Sequence, residues 1–92
     1  MGEIRLTGAL VCANEDQTAV VTAHLPQHIA LTRAESGCLF FDVTPASDPL
    51  TWTVEERFAT EDAFHSHQER VAASDWGRLT AGIERRYAVD GL

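Results

Sequence analysis

The 92-residue sequence has no lysine: its seven basic residues are all arginine, scattered from Arg5 to Arg86, and the formal charge is −7. Neutralising phosphates takes clustered positive charge, so this balance argues against nucleic acid as a partner. Long hydrophobic runs are also missing. No apolar stretch approaches the roughly 20 residues that span a bilayer, and the first residues lack the basic-then-apolar order of a secretory signal, so a cytoplasmic protein is expected. Cysteine is scarce. Cys12 and Cys38 sit in apolar surroundings and form no CxxC pair, which predicts reduced, buried thiols instead of a disulfide framework.

What remains is an ordinary globular composition, 45% hydrophobic and 23% charged, fitting a single domain over residues 1–92. So short a chain buries a limited fraction of its surface, and a partner subunit covering apolar area would add stability. No internal repeat, linker or low-complexity segment interrupts it.

Ile4, Leu6, Gly8 and Leu10 alternate with Arg5, Thr7, Ala9 and Val11, the period-2 pattern of a strand. Asn14, Glu15 and Asp16 carry helix-start chemistry, so a helix is expected over about 17–35, closed by Ser36-Gly37. Pro26 lacks the donor of the preceding turn and predicts a kink or a break near Leu25. Residues 38–43 and 51–58 read as two strands joined by the Ser-Asp-Pro turn of 45–49, an antiparallel hairpin. Thr60 caps a second helix over about 61–73, with Glu61 and Asp62 in its first turn. A short helical turn around Trp76 and a last strand over 83–89 complete an α+β, ferredoxin-like β-α-β-β-α-β order: a four-stranded antiparallel sheet with its helices on one face. Phe40, Cys38, Ala9 and Val11, assigned to the other face, are apolar enough to suggest a dimer built sheet against sheet.

Candidate chemistry lies where polar side chains fall on apolar faces. In the second helix His67 shares an arc with Ala63, Phe64 and Val71, while His65, Gln68 and Glu69 fall opposite. In the third strand Glu56 shares a face with Trp52, Val54 and Phe58, where burial raises a carboxyl pKa unless a partner holds it down. Strand and helix adjoin in this fold. Glu56 and His67 can therefore meet between sheet and helices, either as a proton-transfer site or as a structural hydrogen bond. His24 and His28 stand four residues apart on the apolar arc of the first helix, a spacing that zinc can use. Without a third ligand, the pattern favours pocket lining over metal. Trp52, Phe58, Phe64, Trp76 and Tyr87 suit either an apolar cavity or plain core.

Two blocks resemble the antibiotic biosynthesis monooxygenase family. His28 to Phe41, reading HIALTRAESGCLFF, is similar to the family's TRAEPGC-type entry into the second strand, with Ser36 where proline is common. Glu56-Arg57-Phe58, then Thr60 to Phe64 and His67, is similar to its strand-to-helix block, with Phe58 in place of a tryptophan. The resemblance implies a dimeric α/β barrel that oxidises phenolic or quinol-type substrates with molecular oxygen, without flavin, haem or metal. For such chemistry His67 is the candidate base, with Glu56 orienting it and Arg33 steadying negative charge, and Trp52, Phe58, Phe64, Trp76, His24 and His28 are the candidate substrate-binding residues. Haem-degrading relatives would want an asparagine on the first strand, and the only asparagine here is Asn14. An isomerase or lactone-handling enzyme, or a non-catalytic ligand-binding domain, could use the same fold.

Overall fold

The computed structural model describes residues 2–92. The elements follow in the order β1 (Ile4–Val11), α1 (Glu15–Arg33), β2 (Cys38–Pro45), β3 (Thr51–Phe58), α2 (Glu61–Ala72), α3 (Asp75–Leu79) and β4 (Glu84–Asp90). Each helix starts where a short polar side chain takes up an orphan backbone donor: Asn14 accepts from Gln17, Thr60 from Ala63 and Ser74 from Gly77. The β2–β3 turn closes through Asp48, whose side chain accepts from the Leu50 amide.

The strands form one antiparallel sheet in the order β2-β3-β1-β4, the ferredoxin-like arrangement. In this register Ile4, Leu6 and Leu10 stand beside Phe58, Glu56 and Trp52 of β3. Arg85, Tyr87 and Val89 of β4 join that face, as do Phe41 and Val43 of β2. Val21 and Leu25 of α1, Phe64 of α2 and Trp76 of α3 are buried in the core with Ile4, Leu6, Leu10, Phe41, Val43 and Phe58.

Two local expectations are corrected. Pro26 does not break α1, which runs unbroken from Glu15 to Arg33. Pro26 is exposed, as is Thr22 one turn earlier, so the carbonyl that loses its partner belongs to the solvent side of the helix, where water can replace that bond. Cys38 does not lie on the outer sheet face. A bulge between Cys38 and Phe40 resets the alternation and sets Cys38 opposite Phe58, half-buried against the core. Both cysteines are free, with Cys12 buried.

The outer face mixes Ala9, Val11 and an exposed Phe40 with ion pairs between Arg5 and Glu55 and between Arg57 and Glu3. Among the described residues, no helix is long and apolar enough to cross a membrane.

Candidate active site

Between helices and sheet lies a cavity of about 300 Å³. The sheet supplies Leu10, Val43, Val54 and Phe41 as an apolar floor, with Glu56, Arg85 and Tyr87 along it; the helices contribute His28, His67, Gln68, Val71 and Trp76. The polar groups are thus set in a mostly hydrophobic hollow, the usual composition of a small-molecule site.

His67 and Glu56 do converge here, 3% and 6% exposed. They do not form the hydrogen bond that would let Glu56 orient the ring: His67 Nε2 and Glu56 Oε1 stand 3.6 Å apart, and Glu56 Oε1 has no hydrogen-bond partner. The orienting contact comes from Glu35, whose Oε1 lies 2.8 Å from His67 Nδ1. Arg70 in turn donates to the other oxygen of Glu35 and, at 3.0 Å, to Thr32 Oγ1. A carboxylate paired with arginine only accepts, so the proton sits on Nδ1 and the Nε2 lone pair is turned toward Glu56.

Burial sets the protonation of this group. It pushes the Glu56 carboxyl up to about 7, helped by the negative charge of Glu35 and opposed by Arg85. His67 is held below the ordinary imidazole value by desolvation, against the pull of Glu35. His28 is driven down to about 3 by desolvation and by the charges of His67, Arg70 and Arg85. The Tyr87 phenol, also desolvated, is raised to about 12. Near neutral pH the cavity therefore presents two neutral imidazoles and a carboxyl poised between its two forms, the condition in which general acid–base catalysis works best.

Residues 8–78 match the family described as antibiotic biosynthesis monooxygenase. The chain belongs to the antibiotic biosynthesis monooxygenase family. Among solved structures, this family member is similar to a candidate antibiotic biosynthesis monooxygenase from Nitrosomonas europaea, with a TM-score of 0.81 and 19% identity over 100% of this chain and 92% of the other. A second such candidate, from Caulobacter crescentus, gives 0.72 and 20% over 99% and 91%. Rv0793 from Mycobacterium tuberculosis gives 0.76 and 19% over 99% and 95%. Identities this low speak for the shared fold alone. No curated protein matches the sequence.

The other site expectations for this monooxygenase-family chain divide by location. His28 and Trp76 line the cavity, stacked on each other with centroids 4.4 Å apart and planes 5° from parallel. His24 lines a separate hollow of about 250 Å³ beyond that stack. Trp52 is outside the cavity lining and donates from Nε1 to Thr18. Phe58 and Phe64 are core, packed edge to face at 5.9 Å, and Phe58 backs the His67 ring at 4.7 Å. Arg33 is turned away: its guanidinium donates to the Phe41 carbonyl and faces Asp42 on the surface. The arginine at the cavity is Arg85, fixed by bonds to Thr80 and the Ile83 carbonyl. Gln68, expected on the solvent side, borders the cavity while remaining exposed. Among the described residues, no group of three or more histidine, cysteine or acidic side chains is placed to hold a metal.

Proposed function

We propose that this protein is a cofactor-independent monooxygenase that oxidises a small phenolic or quinol-type substrate with molecular oxygen. The observation that carries the reading is the Arg70–Glu35–His67 chain, half-buried at its first two members and buried at His67, with His67 Nε2 and an unpartnered Glu56 oxygen meeting at a hydrophobic cavity. His67 takes the phenolic proton at Nε2, and Glu35 stabilises the imidazolium that forms. Arg85 steadies the phenolate, whose electron-rich ring reacts with oxygen away from bulk water. For a quinol, one oxygen atom enters the ring and the other leaves as water. The four electrons taken up by oxygen all come from the substrate, so no outside reductant is required.

A homodimer joined through the outer sheet face is part of this reading, supported by the apolar residues there and by the small size of the domain. The decisive experiment is oxygen uptake across a panel of hydroquinones, naphthoquinols and polyketide phenols. His67→Ala should lower the rate on a true substrate by about 10²–10⁴. An unchanged rate would remove His67 as the base, and turnover without oxygen consumption would favour an isomerase or lactone-handling reaction.

A further inference from the structure

His28 is 6% exposed, and its Nδ1 is buried without a hydrogen-bond partner. Leaving such a group unsatisfied costs about 1–3 kcal/mol. Packing does not explain the choice of residue: the ring lies flat on Trp76 and meets Phe41 edge-on at 5.2 Å, contacts that phenylalanine would make equally well. The buried Nδ1 is therefore unused by the fold. His28 and His67 both line the cavity, with ring centroids 6.3 Å apart, close enough for a single ring system to touch both. Two residues that line the cavity thus each carry a buried polar atom without a partner, Glu56 beside His67 and His28. Its wall at the second is a flat aromatic pair.

We propose that His28 is a specificity-determining residue, hydrogen-bonding the second oxygen of a flat, fused-ring aromatic diol whose first hydroxyl meets His67. The inference rests on the reading of this cavity as the substrate site. A neutral imidazole has one donor and one acceptor. It accepts from the hydroxyl of a quinol and, in the other tautomer, donates to the carbonyl of the quinone, so both ends of the reaction are held alike.

The test is binding measured without oxygen, comparing 1,4-dihydroxynaphthalene with 1-naphthol, which lacks the second oxygen. The wild-type protein should prefer the diol by about tenfold, the worth of one hydrogen bond in a desolvated site. His28→Phe, which keeps a ring on Trp76, should bind the two equally while keeping wild-type affinity for 1-naphthol. His28→Gln, which restores a donor and an acceptor, should recover part of the preference. Equal wild-type binding, a preference that survives in His28→Phe, or loss of 1-naphthol binding in that variant would each overturn the assignment. Because binding is read anaerobically, loss of the preference in a protein that consumes no oxygen would overturn the monooxygenase reading alone.

Discussion

Glu56→Gln should stabilise the protein, and only above a definable pH. The folded-state carboxyl is raised from 4.5 to about 7, so the folded protein keeps a proton that the unfolded chain gives up. Whatever stability this protonation supplies is fully present below about pH 4.5 and is lost as the pH rises through 7. The span corresponds to roughly 3 kcal/mol. Glutamine copies the shape of the protonated carboxyl and never ionises. Wild type and variant should therefore melt together at pH 4, and at pH 8 the variant should melt about 10 °C or more higher, given the few degrees per kcal/mol typical of a domain this size. Scanning calorimetry from pH 4 to 9 measures the difference. His28 and His67, both lowered by burial, make each protein less stable as the pH falls below 6.5, but that loss is common to both and cancels. A Glu56→Gln variant that is less stable than wild type at pH 8 would refute the reasoning, because it would mean that the ionised carboxylate is held by a partner.

Glu35→Gln should lower kcat/KM by about 10–100-fold, since the amide can still accept from Nδ1 but cannot stabilise the imidazolium. Glu35 raises the pKa of His67, so the acid limb of the rate profile should also move to lower pH; an unmoved limb would show Glu35 to be structural only. In sedimentation equilibrium the proposed dimer should run at twice the chain mass of 10.1 kDa, and a single-chain mass at micromolar concentration would remove the sheet-to-sheet interface.

The element order was legible because its signals are local: alternation in β1, the Asn14 and Thr60 caps, and the turn around Asp48. The inward aim of His67 followed from helical spacing and the buried face of Glu56 from strand alternation. Glu35 could not be found in this way. It lies past the end of α1, in a turn with no period, and it reaches α2 only because that turn crosses to the Arg70 side. Its presence in the TRAESGC block was the one signal available. Arg33 occupies the same block two positions earlier and points the other way, so composition could not choose between them. Cys38 defeated alternation because a bulge leaves no mark in residue type, and Trp52, Phe58 and Phe64 show that aromatic spacing does not separate core from cavity wall.

The strand order has a consequence for assembly. β1, near the start of the chain, lies between β3 and β4, and its pairing with β4 joins Arg5 to Asp90. One edge of β1 therefore stays unpaired until β4 has been made. Arg85 and Tyr87 arrive with β4, so the hollow gains this wall in the same step that seals that edge of the sheet.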